Sequence, residues 1–423
     1  MTTSADGVVI IGAGHGGFQA AVALRHAGFD DRIRLVDGQG GLPYERPPLS
    51  KEFLAGKVTA GSLCFGSEEF YERLNIELMA GERAAAVDRS AAQVELASGR
   101  RLSYDHLILA TGASVRRLPG DAVEGVLTLR TLPDAEQLAE RLRTRGAVVI
   151  VGGGFIGLEL ASVAASAGAQ VAVIEALPGV MSRIVSTDSA SIYASEHMKR
   201  GARICTSTRI DRFRKDRHGH VAGVETDDGQ RLDADLVIVA IGVLPNVQLA
   251  VDADLPVRDG ILVDEYLRTT DPRISAIGDC ARYPSRFADD LVRLESVQNA
   301  SDQAHCVANR LVGRPHPFSD VPWFWSDQYD LKLQIAGLTA GHDETVTTGD
   351  VEARNFSVMC FSEGRFVGAE SVNRPGDHMA ARRLLAPSAP DRFRLTREQL
   401  LRPDFDLRAY AKASAAAAGE RAK

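Results

Sequence analysis

Two glycine-rich segments hold the residues of this sequence that are best suited to bind a ligand. The first is V-V-I-I-G-A-G-H-G-G, in which four apolar residues precede Gly12, Gly14 and Gly17. In a G-x-G-x-x-G loop the first glycine forms a tight turn, the second lets the backbone approach a pyrophosphate, and the third allows helix and strand to pack closely. Because the next helix directs its N-terminus at the loop, the segment predicts a site for the phosphates of a dinucleotide.

The same spacing recurs in V-V-I-V-G-G-G-F-I-G-L, with Gly152, Gly154 and Gly157. In each copy a helical stretch, a second apolar strand and then an acid follow, Asp37 in the first copy and Glu175 in the second. A carboxylate at that point can accept hydrogen bonds from ribose hydroxyls. The repeat therefore predicts two dinucleotide-binding units.

The elements that must position these residues follow from the apolar pattern. Helices are predicted over 18–27 and 158–167, and each unit later returns to its sheet through an apolar strand that ends in glycine, over 107–112 and 236–242. A further short strand, 274–279, most economically rejoins the first sheet. The second unit is therefore expected to be an insertion into the first.

From Trp325 onward the pattern changes to alternating strands, which is typical of an antiparallel sheet with helices. The expected strands span 331–335, 351–361 and 365–372, the expected helix spans 377–385, and the final residues are expected to be a frayed helix or a disordered tail. We therefore expect an α/β protein with two Rossmann-like dinucleotide-binding domains and a C-terminal α+β domain. The expected boundaries are 1–113 and 246–324 for the first dinucleotide-binding domain, 114–245 for the second, and 325–423 for the C-terminal domain.

Composition narrows the function classes. The formal charge of −7 over 423 residues argues against general affinity for nucleic acid, which requires a basic surface. Five scattered cysteines without a C-x-x-C pair favour a reducing compartment and no metal site. The opening M-T-T-S-A-D lacks the basic and apolar regions of a secretory signal, so a cytoplasmic location is expected. The apolar stretch 147–174 contains Glu159, Gln170 and several glycines, which disfavours a membrane span.

Several motifs together resemble one family. They are the first glycine loop at 12–17, R-P-P-L-S-K at 46–51, A-T-G at 110–112, the second loop with Glu159, G-D at 278–279, S-V-Q-N at 296–299 and W-F-W at 323–325. In this combination, which covers nearly the whole chain, the sequence is similar to the FAD-dependent ferredoxin reductases of bacterial cytochrome P450 and aromatic-ring dioxygenase systems. The resemblance implies a glutathione-reductase-like fold in which the first loop binds FAD and the second binds NADH.

The resemblance also implies which residues hold each cofactor. For FAD they are Gly12, Gly14, His15, Gly17, Asp37, Arg46, Lys51, Thr111, Gly112, Arg130, Gly278, Asp279, Val297 and Trp325. For NADH they are Gly152, Gly154, Ile156, Gly157, Glu175 and Gly242. Asp279 would bind the ribityl chain, although an acid at such a position can also be a simple turn residue.

Lys51, Glu159 and Trp325 are the expected catalytic residues. Lys51 and Glu159 are similar to a lysine and a glutamate that pair in front of the flavin in this wider fold, and the alternative is a surface lysine with a solvated helical glutamate. Trp325 is expected on the flavin side of the C-terminal domain, where an aromatic ring would exclude water, and ordinary core packing is the alternative.

One absence in the sequence bears on the chemistry. Disulfide reductases of this fold need at least one thiol close to the flavin, in the segment after the second strand. Here that segment is G-Q-G-G-L-P-Y-E at 38–45, without cysteine. Disulfide chemistry is therefore not expected.

The leading hypothesis is an enzyme that takes hydride from NADH onto FAD and passes single electrons to an acidic [2Fe-2S] ferredoxin, which supplies a cytochrome P450 or a ring-hydroxylating dioxygenase. One alternative is an NADH oxidase or small-molecule reductase without a protein acceptor. Another is a redox-sensing interaction flavoprotein. We expect no nucleic-acid or membrane partner, and a monomer or weak dimer.

Because the chain is itself net negative, an acidic ferredoxin needs a local basic patch on which to dock. Arg310 and Arg314 are the candidates, expected one turn apart on the helix that follows 296–299. Lys332, beyond Trp325, could extend the patch. The alternative is a basic helix C-terminus that merely complements the helix dipole.

Overall fold

The computed structural model describes residues 6–144 and 146–421. Residues 1–5, on which the expected lack of a secretory signal rests, lie outside this range. The strands are β1 Val8–Ile11, β2 Ile33–Asp37, β3 Ile76–Ala80, β4 Ala84–Asp88, β5 Gln93–Leu96, β6 Arg101–Ser103, β7 His106–Leu109, β8 Ala113–Val115, β9 Val126–Leu127, β10 Ala147–Val151, β11 Gln170–Ile174, β12 Arg203–Cys205, β13 Ile210–Lys215, β14 Val221–Thr226, β15 Arg231–Asp233, β16 Leu236–Val239, β17 Val243–Pro245, β18 Ile261–Leu262, β19 Ile274–Ala276, β20 Ala281–Arg282, β21 Trp323–Gln328, β22 Leu331–Gly337, β23 Glu344–Asp350, β24 Asn355–Ser362 and β25 Arg365–Val372.

Helices lie between many of these strands. They are α1 His15–Ala27, α2 Glu68–Arg73, α3 Leu132–Leu142, α4 Phe155–Ser166, α5 Thr187–Lys199, α6 Gln248–Asp252, α7 Val297–Leu311, α8 Pro375–Leu385, α9 Arg397–Leu400 and α10 Leu407–Arg421, with 3-10 turns at Pro47–Ser50, Ala60–Leu63, Gly278–Cys280 and Asp391–Phe393. Among the described residues, no helix is both long enough and apolar enough to cross a membrane.

The chain forms two compact units. The first comprises Met1–Arg46, Ala60–Ser114 and Val243–Asp320, and the second comprises Pro47–Thr59, Val115–Gly242 and Val321–Lys423.

The first unit is built on a parallel sheet with the strand order β19-β7-β1-β2-β3. Strand β1 pairs with β2 at Val8↔Ile33 and with β7 at Val8↔His106, and all four of its residues are buried. A parallel strand that is paired on both sides and covered on both faces is expected to be apolar throughout, as β1 is. Helices α1 and α7 pack against each other, and β4, β5 and β6 form a separate antiparallel sheet.

The expected return of the chain to this first sheet is confirmed, because β19 pairs with β7 at Ile274↔Leu107. The strand is shorter than predicted. It ends at Ala276, since the chain turns at Gly278 with a φ of 73° into the 3-10 turn Gly278–Cys280.

The second unit holds a parallel sheet with the order β12-β11-β10-β16-β9 and an antiparallel sheet of β13, β14 and β15. Its C-terminal part is the antiparallel sheet β21-β22-β25-β24-β23, against which α8 packs. The two parallel sheets and the antiparallel C-terminal sheet confirm the predicted fold class. One apolar cluster joins the second parallel sheet to the C-terminal sheet, for example through Ile150, Leu160, Leu333 and Phe356.

The unit boundaries differ from the expected domain boundaries in two respects. Residues Pro47–Thr59 belong to the second unit, because Leu54 packs on its apolar cluster and Lys51 pairs with Glu159. The C-terminal residues also cluster with the second parallel sheet, because both contribute to that apolar cluster.

Several element boundaries also differ from prediction. Helices α1 and α4 begin at His15 and Phe155, earlier than predicted, because both glycine loops are already helical after their second glycine. The stretch 351–361 is expected from the sequence to be one strand. Instead, residues 351–354 form the turn of a hairpin between β23 and β24, with Arg354 at a φ of 55°, and only the rest of the stretch is strand. The chain end forms α10, with Ala411 fully buried, and the last two residues lie outside the described range.

Candidate functional site

The first glycine loop has the geometry of a phosphate-binding turn. Gly12 adopts a φ of 100°, and a Cβ there would lie 2.3 Å from the carbonyl oxygen of Ala110. At Gly17 a Cβ would lie 1.8 Å from the carbonyl oxygen of Gly12. At Gly14 the nearest described atom is Nη2 of Arg46, at 3.9 Å. The backbone therefore requires glycine at the first and third positions, whereas Gly14 leaves open space at the N-terminus of α1, which fits a bound phosphate.

The second loop repeats this arrangement. Gly152 has a φ of 106°, with a hypothetical Cβ 2.4 Å from the carbonyl oxygen of Ala240, and at Gly157 a Cβ would lie 1.9 Å from the carbonyl oxygen of Gly152. No described residue comes within 4 Å of a Cβ built at Gly154. Ile156, on the first turn of α4, is 45% exposed. Each loop thus fits the pyrophosphate of one dinucleotide.

The two acids that follow the loops are held in the same way. The carboxylate of Asp37, at the end of β2, accepts the backbone N–H groups of Ala13 and Gln39. Burial raises the pKa of Asp37, while these two donors and the Arg46 guanidinium act to lower it. The backbone thus fixes Asp37 beside the loop with further lone pairs available for a ribose.

In the second unit, Glu175 follows β11. Its Oε2 accepts the N–H of Gly153 at 2.7 Å, and its Oε1 accepts the N–H of Leu177 at 2.8 Å. Gly153 stands in the second loop where Ala13 stands in the first. The predicted correspondence between the acids of the two repeats therefore extends to their hydrogen bonds.

The other predicted residues of the first unit gather at the carboxyl ends of its strands, where ligands bind in open α/β sheets. Thr111 and Gly112 follow β7, and Thr111 Oγ1 donates to the carbonyl oxygen of Asn246 at 2.6 Å. Asp279 is half-buried in the turn after β19. Val297 opens α7, whose N-cap Ser296 accepts the N–H of Asn299.

Lys51 and Glu159 form a buried ion pair in the second unit. Nζ of Lys51 lies 3.0 Å from Oε1 of Glu159, and the side chains are 12% and 2% exposed. Ser50 Oγ donates to Oε2 at 2.5 Å and Ser326 Oγ donates to Oε1 at 2.7 Å. Burial raises the pKa of Glu159, and the Lys51 ammonium and the two hydroxyls oppose that rise. The alternative of a solvated glutamate is therefore excluded.

Three other predicted residues of the second unit make contacts with residues other than Lys51 and Glu159. Trp325 is half-buried on β21, with its ring centroid 5.6 Å from that of Trp323. Arg130 precedes α3, and its backbone N–H donates to Asp134. Gly242 is exposed after β16, with a φ of 98°.

The structure also brings together polar residues to which the sequence motifs assigned no role. Ser50, Ser326, Gln328 and His197 surround or extend the hydrogen bonds of Glu159. One signal was available in the sequence, because F-W-S-D-Q alternates along β21 and places two polar side chains on the face of apolar Phe324. The spacing of residues along β21 does not show that these two side chains connect to Glu159.

The predicted pair of docking arginines does not share a helical face. Helix α7 ends at Leu311, and the chain turns at Gly313 with a φ of 82°, so Arg314 lies beyond the helix. Arg310 Nη2 donates to Ser275 Oγ at 2.6 Å, and burial lowers the pKa of Arg310. Arg314 is exposed and donates to the carbonyl oxygen of Ala27. The prediction that Arg310 and Arg314 lie one turn apart on this helix is therefore wrong.

The cysteines occupy mostly interior positions. Cys280, Cys306 and Cys360 are buried, and Cys64 and Cys205 are half-buried. Cys280 adjoins Asp279, and burial raises the pKa of its thiol. Its Sγ contacts the carbonyl oxygens of Ile277 and Leu109. A neutral, fully buried thiol is a poor nucleophile.

Comparison with known proteins places this geometry in a family. Residues 6–304 match the family described as pyridine nucleotide-disulphide oxidoreductase, and residues 323–411 match the family described as reductase C-terminal. Rhodocoxin reductase of Rhodococcus erythropolis is 47% identical over 403 residues, which is 95% of this chain and 93% of that protein.

Two solved structures extend the similarity to the whole fold. The ferredoxin reductase for the CYP199A2 system from Rhodopseudomonas palustris is 45% identical, with a TM-score of 0.92 over 97% of this chain and 100% of the other. Putidaredoxin reductase, solved as a covalent complex with putidaredoxin, is 37% identical, with a TM-score of 0.93 over 97% and 99% of the two chains. The chain therefore belongs to the pyridine nucleotide-disulphide oxidoreductase family of FAD- and NAD(H)-dependent enzymes.

Proposed function

We propose that this protein oxidises NADH and passes the electrons singly to a [2Fe-2S] ferredoxin, which supplies a cytochrome P450 or a ring-hydroxylating dioxygenase. The observation that carries the proposal is similarity over nearly the full chain to rhodocoxin reductase, to a ferredoxin reductase for the CYP199A2 system and to a putidaredoxin reductase solved with putidaredoxin. Bound FAD would convert a two-electron transfer into single-electron transfers, since a flavin accepts two electrons from a nicotinamide and releases them one at a time.

We assign the first unit the binding of FAD. The open position at Gly14 and the N-terminus of α1 would receive the pyrophosphate, beside His15. Asp37 would accept the adenosine ribose hydroxyls, and Asp279 those of the ribityl chain.

Further residues of the FAD site follow from the same assignment. They are Gly12, Gly17, Arg46, Thr111, Gly112, Gly278 and Val297, and the resemblance adds Arg130. Arg46 adds positive charge near Asp37 and Gly14, which favours a ligand with two phosphates.

We assign NADH to the second glycine loop, with the proposed domain spanning 114–245 and flanked by FAD-binding segments 1–113 and 246–324. Gly154 leaves space for the pyrophosphate, and Gly152, Ile156, Gly157 and Gly242 would border it. Glu175 would bind the adenosine ribose, whose two hydroxyls it can accept together.

Lys51 and Glu159 are the proposed catalytic pair. An ammonium held by a buried carboxylate is a fixed positive charge, and a cation beside a flavin stabilises its reduced, anionic form. Trp325, in the proposed C-terminal domain 325–423, would exclude water from the reacting ring.

The ferredoxin is proposed to be acidic and to dock near the end of α7. Since Arg310 donates inward to Ser275, its role there would be to hold the end of α7, while exposed Arg314 would supply the positive charge. A cytoplasmic location and a monomer or weak dimer complete the proposal.

The test uses the FAD-loaded protein with excess NADH under anaerobic conditions. We expect rapid flavin reduction, followed by fast cytochrome c reduction only when a [2Fe-2S] ferredoxin is added. Fast oxygen consumption without a ferredoxin would instead indicate an oxidase. A long-lived charge-transfer species with a changed oligomeric state would indicate a redox-sensing protein.

A further inference from the structure

Strand β21 directs two polar side chains into an apolar region. Ser326 and Gln328 are fully buried, and they share a strand face with Phe324. The centroid of the Phe324 ring lies 4.4 Å from the centroid of the Phe155 ring at the start of α4. A buried polar group without a partner is costly, so such a face is expected to be apolar unless its polar atoms are satisfied.

The partners of these side chains form one continuous chain of hydrogen bonds. Ser326 Oγ donates to Glu159 Oε1 at 2.7 Å, and Gln328 Nε2 donates to Ser326 Oγ at 3.3 Å. Gln328 Oε1 lies 2.9 Å from Nε2 of His197, which is fully buried on α5. Nδ1 of His197 lies 3.5 Å from the hydroxyl of Tyr329.

The chemistry of these groups sets the direction of the chain. Glu159, when ionised, can only accept, so the Ser326 hydroxyl must donate to it. The carbonyl oxygen of Gln328 can only accept, so Nε2 of His197 carries the proton. Burial lowers the pKa of His197, which favours the neutral ring. Every donor from His197 onward therefore points towards Glu159.

We infer that Ser326, Gln328 and His197 are positioning residues that keep Glu159 ionised and directed at Lys51. Donors aligned in one direction polarise one another and strengthen the last hydrogen bond, the one to the carboxylate. Without Ser326, Oε1 would lose one of its two donors, and burial would favour protonation of Glu159. The inference rests on the proposed function in one respect, namely that Lys51 and Glu159 act at the reacting ring.

Charged groups around this chain come from several elements. Lys51 faces Glu159 from the 47–59 segment, and Asp327, on the opposite face of β21, interacts with Lys51 and with Glu52. His197 faces Arg200 and Glu196 of its own helix, whose charges act on it in opposite directions. Glu159 thus depends for its ionisation on Lys51 and on the hydroxyl donors.

The experiment titrates Glu159 itself in the FAD-loaded protein. Infrared difference spectra of protein labelled with ¹³C-glutamate would follow the protonated carboxyl band with pH, and Glu159→Gln would identify that band. In Ser326→Ala we expect the apparent pKa of Glu159 to rise by about one to two pH units, the size expected for loss of a hydrogen bond to a charged group. The rate of flavin reduction by NADH, measured by anaerobic stopped flow as a function of pH, should fall at a correspondingly higher pH in this variant.

Ser162→Ala is the matched control. Ser162 is a buried serine one turn along α4, and its hydroxyl donates to the main-chain oxygen of Glu159 rather than to the carboxylate. We expect Ser162→Ala to leave the titration of Glu159 unchanged. Ser326→Thr keeps the hydroxyl, so Glu159 should titrate in it as in the unmodified protein. Gln328→Met, which can pack on Met181, should shift the pKa in the same direction by a smaller amount and gives a second test if Ser326→Ala folds poorly.

Two results would overturn the inference. One is an unchanged Glu159 titration in both Ser326→Ala and Gln328→Met, and the other is an equal shift in Ser162→Ala. The infrared titration needs no ferredoxin. A protein that fails to reduce ferredoxin but shows the expected shift would refute the proposed function and retain the hydrogen-bonded chain around Glu159.

Discussion

The carboxylate of Glu175 lies 2.7 Å from the backbone nitrogen of Gly153, inside the second glycine loop. Since Leu177 N–H binds the other carboxylate oxygen, the negative charge is fixed where an adenosine ribose would lie. The acid is therefore part of the loop before any ligand binds.

This fixed charge predicts a preference for NADH over NADPH. A 2′-phosphate beside Glu175 would place like charges together, which costs several kcal/mol, so we expect kcat/KM to favour NADH by about a hundredfold or more. In Glu175→Ala the preference should fall by at least about tenfold, whereas Glu136→Ala, an exposed acid on α3, should leave it unchanged. Equal kcat/KM for the two cofactors in the unmodified protein would contradict the assignment.

Alanine substitutions at two glycines of the second loop are expected to affect different properties, namely the stability of the fold and the binding of NADH. Gly157→Ala would place a Cβ 1.9 Å from the oxygen of Gly152, so it should lower the melting temperature strongly. Gly154→Ala meets no described residue within 4 Å and should fold normally, but its methyl group would occupy the space assigned to the pyrophosphate. We expect a normal melting temperature with a raised KM for NADH. A Gly154→Ala variant that binds NADH normally would place the pyrophosphate elsewhere.

The buried ion pair predicts a pH-dependent loss of stability in Lys51→Met. Removing one partner of a buried pair costs about 3–5 kcal/mol when the other stays charged. Burial already raises the pKa of Glu159, and loss of Lys51 would raise it further. An acid whose pKa is higher in the folded state destabilises the fold as pH rises above its unfolded pKa of about 4.3.

The stability deficit of Lys51→Met should therefore be small near that unfolded pKa and grow towards neutral pH. Melting of the FAD-loaded protein over this range measures it. The double variant Lys51→Met with Glu159→Gln removes the titrating group, so its deficit relative to Glu159→Gln alone should not depend on pH. A deficit of the same size at all pH values in Lys51→Met would show that Glu159 is not the group responsible.

The thiols predict a simple electron count. Residues 38–45 contain no cysteine, and burial raises the pKa of Cys280, so no thiolate is expected to donate to the flavin. Anaerobic titration with dithionite should consume about two electrons per FAD, without a thiolate-to-flavin absorbance band. Consumption of about four electrons would reveal a redox-active disulfide.

The exposed end of α7 predicts a salt-dependent effect on the acceptor. Arg314→Glu should raise the apparent KM for an acidic ferredoxin at low ionic strength, because electrostatic steering is lost, and the effect should shrink at high salt. Flavin reduction by NADH should be unaffected. Arg217→Glu, the same charge change in the turn between β13 and β14, is the control. If both variants behave alike, Arg314 is not part of the docking surface.

The sequence by itself determined both glycine loops, the acids that follow them and the absence of a cysteine at 38–45. These features are local, because a strand, a turn and a helix of about 30 residues contain all the contacts that make a dinucleotide loop. The strand at 274 could also be placed, because a short apolar strand after the second unit most economically rejoins the first sheet. The resemblance to known reductases added Lys51 and Glu159, which local spacing could not connect.

Only the tertiary structure decided which polar side chains meet. Ser326, Gln328 and His197 lie far apart from Glu159 in sequence, and their hydrogen bonds exist because β21 packs against α4. Likewise, Arg310 donates inward to Ser275 of another element, and α7 ends at Leu311, which leaves Arg314 exposed beyond the helix. A sequence pattern fixes the period of one element, whereas a hydrogen bond between two elements depends on how their surfaces pack, which no single segment encodes.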